Sequence, residues 1–498
     1  METISRRKFL INTTMATAAT LAGLQSGAGQ APYARILGAN DDIRLAVVGI
    51  GSNVKIGGKG KQDIREWRKV PGVRIVALCD VDKDILDAEV EQFRLRNEKV
   101  EAYTDIRKLL ENKDIDAISI TTPNHWHALM AIWACQAGKD VFLQKPASHN
   151  IFEGRKMVEA ARKYKRVMQC TSTARSGGIK EALDFARQGG LGKVKYIHGV
   201  NYKPRMSIGK VSEPTPIPKN LDYDLWSGPA PVLPVNREYL HYDWHWDFNY
   251  GNGDLGNMGI HFLDGCRMAT GQGMPPNVIS LGGRFGYDDD GETPNSLFTF
   301  YDYKPAPVIF EVRGLPKDKS YLSTQWDKNA NLSMDSLNGL RTGVIVYCEN
   351  GYVANNKAYD LAGKLVQEFS PEGEGMYANF IKTMRTRKVK ELEGDILEGH
   401  LSAGLIHMAN ISYRIGKTAT PGEINERMSG HKVSVDTLEN FQEHLAVNGI
   451  DLNKTRATMG PMLTLNADTE RFTGEFSKEA NQLVSRNYRA PFVVPEKV

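Results

Sequence analysis

Lys145 stands where an apolar run ends, in "VFLQKPASHN" (residues 141–150), and Pro146 fixes the backbone direction just after it. Such an amine is either a charge on the rim of a solvated turn or a group aimed into a cleft at the end of a buried strand. What lies upstream favours the cleft. The stretch "DDIRLAVVGIGSNVKIGGKGKQDI", from Asp41, begins with a short apolar run over 45–48, breaks into glycines and continues as a polar, helix-compatible segment. Glycines in such a turn let the backbone approach a pyrophosphate, and the helix that follows offers N–H groups without intrahelical partners. Gly49 and Gly51 supply G-x-G, but Val54 stands where the third glycine is expected. "SNVKIG" therefore reads as an insertion in the turn, and the phosphate contact is expected from Gly58 to Gly60. One helix length on, "VRIVALCDVD" carries a second apolar run to Asp80. An acid at that strand tip accepts hydrogen bonds from the adenosine ribose hydroxyls and repels a 2′-phosphate, so the cofactor expected is NAD.

The pattern that positions these groups then repeats. "IDAISITTPNHWHALMAIWACQAGKDVFLQKP" reads as a strand over 117–121, a turn, a helix over about 125–137 stopped by Gly138, and a strand over 141–143. Alternating helices and nearly all-apolar strands predict an α/β domain over 41–170, with a doubly wound parallel sheet covered on both faces. Ligands of such sheets lie beyond the carboxyl ends of the strands, where Thr121 to His127 and Gln144 to Pro146 both fall. From about Thr171 longer strands joined by loops take over ("KVKYIHGVNY", "NSLFTFYDY", "VIFEVRGL"). They predict an α+β domain over 171–420 with a large open, mostly antiparallel sheet. Residues 421–498 carry no chemical motif: "VDTLENFQEHLAVNGI" reads as an amphipathic helix and the rest as an extended arm packing on the body.

The glycine-rich turn, "CDVD", "TTPNHWHA" and "QKP", in this order, resemble the Gfo/Idh/MocA oxidoreductases, the family of glucose-fructose oxidoreductase and inositol dehydrogenase. The resemblance spans about residues 41–420. It puts the family's Thr-Pro-x-x-x-His loop on Thr122, Pro123 and His127, with Asn124 inside it, and the Glu-Lys-Pro motif on Gln144, Lys145 and Pro146. By resemblance Lys145 lies near the nicotinamide and the substrate. Gln at 144 removes a carboxylate that would hold the lysine protonated. In "HYDWHWDFNYGNGDLGNMGIHFLDGCRM" the family's Asp and His fall on Asn257 and His261. On a helix that spacing puts both side chains on one face. His261 is then the expected general acid or base near neutral pH, Asn257 can only orient or hydrogen-bond, and Asp264, one turn on, is a possible partner for His261.

Between Tyr239 and Tyr250 the aromatics Tyr242, Trp244, Trp246, Phe248 and Tyr250 interleave with His241, Asp243, His245 and Asp247. Rings meet the C–H faces of a sugar while acids and imidazoles meet its hydroxyls, so Trp244, His245 and Trp246 are candidate substrate contacts. An alternating half-buried strand fits the same pattern. Tyr202 and Arg205, around "NYKP", are further candidates, and Asp288 to Asp290 read as a solvated turn rather than a metal site.

Net charge is +4, from 63 basic and 59 acidic residues, and no long basic run gives a reason to expect nucleic acid as a partner. Five dispersed cysteines without a C-x-x-C pair read as buried free thiols, so neither zinc nor a disulfide framework is expected. In residues 1–35, "SRRKFL" precedes a weakly apolar stretch rich in Ala and Thr, which makes an export signal rather than a membrane span and matches the twin-arginine pattern. A periplasmic or otherwise exported homo-oligomer, dimer or tetramer, is expected. Outside the cytoplasm no ordinary pool recycles free NAD, so the activity expected is an NAD-dependent oxidoreductase of a sugar or glycoside that holds and recycles its cofactor. A glycosidase working through transient C3 oxidation and elimination, a dehydrogenase feeding an external acceptor, and a non-catalytic sugar-binding protein are the alternatives. Gln144 and Asn257 motivate the last.

Overall fold

The computed structural model describes residues 42–52, 57–175, 177–318, 333–430 and 432–498. The export-signal segment and residues 53–56 of the glycine-rich insertion lie outside the described residues.

Six short strands build the first sheet: β1 (Ile43–Val48), β2 (Val73–Cys79), β3 (Glu101–Tyr103), β4 (Ala117–Ile120), β5 (Asp140–Leu143) and β6 (Met168–Cys170). All neighbours run parallel, in the order β3-β2-β1-β4-β5-β6. Strands β4 and β5 are buried along their whole length, which is why they are apolar without alternation. The chain order reverses between β1 and β4, and such a reversal opens a crevice at the carboxyl ends of the strands. Side-chain caps set where several helices begin: Asp82 accepts from the N–H groups of Asp84 and Ile85, and Asn150 from that of Glu153.

The second sheet is mixed. It runs through β7 (Val194–Tyr202), β8 (Asn277–Gly283), β9 (Ser296–Tyr301), β10 (Val308–Arg313), β11 (Thr342–Cys348), β12 (Gly351–Ala354), β13 (Lys357–Asp360), β14 (Leu365–Glu368), β15 (Lys417–Ala419) and β16 (Ala457–Met459). The order is β14-β13-β12-β11-β7-β10-β9-β8-β16-β15, antiparallel except for the parallel pair of β7 and β10 at its centre. The helix Ile396–Arg414, buried along most of its length, joins the halves: it packs on the helix Ile151–Lys163 and β6 on one side and on β8 on the other.

The C-terminal residues differ from an extended arm. After the helix Lys432–Val447, β16 and β17 (Leu463–Asn466) both pair with β8, and β18 (Arg471–Thr473) pairs with β17. These strands are three or four residues long, too short for alternation to mark them. The last segment returns to the first domain, where Phe492 packs edge-on against Trp126, centroids 5.3 Å apart. All five cysteines are buried free thiols. Among the described residues no helix is long and apolar enough to cross a membrane.

Candidate functional site

The turn after β1 is built for close approach. Gly49 (φ 82°) and Gly51 (φ 147°) hold backbone angles that side chains avoid. A Cβ on Gly49 would fall 2.8 Å from the backbone nitrogen of Thr122. Gly58 begins the helix Lys59–Trp67 without a side-chain cap, no acid lies in its first turn, and a Cβ there would meet nothing within 4 Å. Lys61 in that first turn donates its N–H to the Ile50 carbonyl at 2.9 Å, so the N–H groups ahead of it are the ones left for an anion. Gly60 is different: its Cβ would lie 2.1 Å from the Gly49 carbonyl oxygen, so it serves the packing of helix on strand and not phosphate contact. Asp80, at the tip of β2, accepts from the N–H of Ile50 (2.7 Å) and of Asp82 (3.0 Å), and burial raises its pKa. The open space at Gly58, an uncapped helix start and an acid at the second strand tip fit a bound NAD.

The cleft continues along Thr121, Thr122, Pro123 and the buried Asn124 at the start of the helix Asn124–Gln136. Trp226, His241, Tyr242, Trp244 and His245 line the same cleft. The segment around them is not a strand; Asp243–Trp246 form a single 3₁₀ turn. His127 is fully buried behind the loop and does not line the cleft. Its ring nitrogens lie 2.7 Å from the Pro146 carbonyl and 2.9 Å from the Thr122 carbonyl, so the ring packs between the loop after β4 and the loop after β5 and donates its one N–H to one of these oxygens. It acts as a tether rather than a cofactor contact.

Beyond β5 a second pocket opens, lined by Thr171, Ser172, Thr173, His261 and Met376 among others. Lys59, Gln144 and Lys145 line both cavities. Lys145 donates to the backbone carbonyl of Asn257, which sits in a π-helical turn, Leu255–Gly259, ahead of the α-helix Ile260–Thr270. Asn257 lines the cofactor cleft and His261 the second pocket. Burial, then Arg205 and Lys59, push the Lys145 pKa down to about 7.

His261 departs from the acid–base role. Its Nδ1 accepts the backbone N–H of Thr173 at 3.1 Å, so the neutral ring carries its proton on Nε2. Burial, then Lys145, lower its pKa to about 3. It is a neutral donor. His245 is the reverse: its Nδ1 lies 2.5 Å from the Tyr242 carbonyl, so the proton sits on Nδ1 and Nε2 is an acceptor, and burial holds its pKa at about 3. Asp264 does not partner His261; it accepts from Arg175 at 2.8 and 2.9 Å and from Ser402 at 2.6 Å.

Three candidate substrate residues line neither cavity. Alternation along β7 turns Asn201 toward Asp254 (3.0 Å), so the next residue, Tyr202, faces away and donates to Glu311 at 2.6 Å. Arg205, buried, pairs with Asp254 at 2.9 Å. Trp246 is buried behind Tyr242 and His245, with the Arg205 guanidinium 5.7 Å from its ring. Sequence reasoning missed Lys59, Asp63, Asp254 and Thr173. An aspartate three residues before Asn257 was the one available signal.

Residues 43–172 match the family model described as "Oxidoreductase family, NAD-binding Rossmann fold", and residues 191–281 match the C-terminal alpha/beta domain of the same family. A "Glycosyl hydrolase family 109 protein" of Shewanella baltica is 28% identical over 226 residues, 41% of this chain and 48% of that protein. One of Shewanella pealeana is 28% identical over 174 residues, 33% of this chain and 37% of that protein. The chain thus spans about half or less of the length of the curated relatives it matches. Among solved structures, the WlbA dehydrogenase of Bordetella pertussis, in complex with NADH and UDP-GlcNAcA, shares the fold with a TM-score of 0.52 at 17% identity, covering 75% of this chain and 97% of that one.

Proposed function

This chain belongs to the Gfo/Idh/MocA oxidoreductase family, and from that membership we propose that it is an NAD-dependent enzyme acting on a hydroxyl of a sugar or glycoside. Lys145 carries the reading: an amine with a pKa of about 7, on the wall between the cofactor cleft and the His261 pocket. NAD, held by the Gly49–Gly51 turn, the helix start at Gly58 and Asp80, supplies the hydride acceptor when bound. Neutral Lys145 takes the hydroxyl proton as the carbon gives up its hydride, so an alcohol becomes a carbonyl and the proton ends on the amine. The Asn257 carbonyl fixes that amine. His261, with its proton on Nε2, donates to the oxygen on which charge develops.

The relatives named as family 109 glycosyl hydrolases favour a second reading, in which a glycosidic bond is cleaved with no net redox change. Lys145 then removes a proton in one step and returns it in another. Under either reading the cofactor stays with the protein, which leaves the cytoplasm folded by the twin-arginine route as a homo-oligomer. Adding a panel of aryl glycosides and free sugars to the purified protein tests this. A reduced-nicotinamide absorbance band that builds with sugar supports oxidation; released aglycone with no lasting band supports cleavage. Protein that neither retains nor binds NAD overturns both. Recovery only in the cytoplasmic fraction overturns export.

A further inference from the structure

Gln144 stands where the Glu-Lys-Pro motif that this segment resembles has its acid, yet the site does not lack a carboxylate. Asp63, fully buried on the helix Lys59–Trp67, accepts the Gln144 side-chain amide at 2.7 Å. The same carboxylate accepts from Lys59 (2.8 Å) and from the Tyr377 hydroxyl (2.9 Å), while Thr171 donates to the other end of Gln144 at 3.0 Å. We propose that Asp63 is the displaced acid of the Lys145 motif: a positioning residue that draws the negative charge onto Lys59 and leaves Lys145 without an ion-pair partner.

Geometry supports this from both sides. A carboxylate at position 144 would line the same two cavities as Lys145 and would favour its protonated form. At position 63 it spends its charge on an ammonium four residues earlier on its own helix, and only the neutral amide of Gln144 faces the catalytic strand end. Among the described residues the one hydrogen bond from the Lys145 amine goes to the Asn257 carbonyl. The charged and titratable groups acting on that amine are Lys59 on the first helix, Lys203 and Arg205 after β7, Asp254 before the π-helical turn, His127 and Cys170 behind, and His245 and His261 across the pockets. Cations outnumber anions in that set, and the proposal rests on the same reading of Lys145 as the base.

The test exchanges the two side chains. In Gln144→Glu with Asp63→Asn the amide and the carboxylate trade places, so the bond between positions 63 and 144 is kept with donor and acceptor reversed. Acetic anhydride is the probe: its reaction with Lys145 of the full-length protein, followed by mass spectrometry across pH, reads the amine's titration without any sugar. The natural protein is expected to titrate near pH 7, and the doubly exchanged protein higher, because the acid then sits on a residue that lines the same two cavities as the amine. Asp63→Asn alone is expected to lower rather than raise the midpoint. A folded, NAD-binding double variant with an unmoved midpoint overturns the proposal. Because the probe needs no turnover, an inactive enzyme and a mistaken role for Asp63 give different results.

Discussion

The backbone N–H of Thr173 donates to Nδ1 of His261 at 3.1 Å, and that bond fixes which proton the imidazole can offer. With a pKa held at about 3 by burial and by Lys145, the ring stays neutral across the working range. Its role as a donor predicts that His261→Gln, which keeps an N–H, retains far more activity than His261→Leu. The leucine variant is expected to lose about 10²–10³ in kcat, the cost of one donor to a developing oxyanion. An activity profile whose acid inflection disappears in the glutamine variant refutes this.

Lys145 supplies the pH dependence. Its folded pKa is depressed to about 7 against an ordinary value of about 10.4. The amine is therefore a competent base above pH 7 and protonated below it, so kcat/KM is expected to fall about tenfold per unit on the acid side of that point. Lys145→Met is expected to abolish formation of reduced nicotinamide while NAD binding survives, measured by fluorescence titration. An unchanged turnover rate rules out the assignment.

How much of this was legible follows from which contacts are local. The strands β1, β2, β4 and β5 announce themselves by apolar runs ending in Gly49, Asp80, Thr121 and Gln144, and those ends are neighbours because the sheet is parallel. Lys145 could be placed at the cleft from that alone. Asp63 could not: it meets Gln144 across 81 positions and Tyr377 across 314, and nothing in "KGKQDIREW" marks it as more than a polar helix residue. Tyr202 and Arg205 lie off both cavities for a related reason. Alternation tells that neighbours point apart, but which face of β7 meets the site depends on where Asp254 lands. At His261 the helical spacing from Asn257 was read as continuous, and a π-helical turn intervenes.

His127 offers a check on the loops that carry the cofactor contacts. Its two nitrogens lie beside the carbonyls of Pro146 and Thr122, and burial lowers its pKa to about 4, so the neutral ring donates its single N–H to one of them while packing between the two loops. Removing it in His127→Ala leaves a cavity and one buried carbonyl without its donor, at a cost of about 1–3 kcal/mol. Denaturation midpoints should drop accordingly and NAD affinity should weaken about tenfold, measured by calorimetric titration. Full affinity in the variant would show that the loops hold their places without the tether.

Gly58 and Gly60 are two residues apart and should respond oppositely to alanine. At Gly60 the added methyl would meet the Gly49 oxygen at 2.1 Å and the Ile50 oxygen at 2.6 Å, both backbone atoms that cannot move aside without parting helix from strand. A loss of at least about 3 kcal/mol of stability is expected, at the upper end of overpacking costs. At Gly58 the methyl meets no protein atom within 4 Å, so thermal stability should hold. It does, however, intrude on the space over the uncapped helix start, where the phosphates of NAD are expected, and affinity for the nucleotide should fall by about tenfold or more. Unchanged NAD binding in Gly58→Ala would place the pyrophosphate elsewhere along the turn.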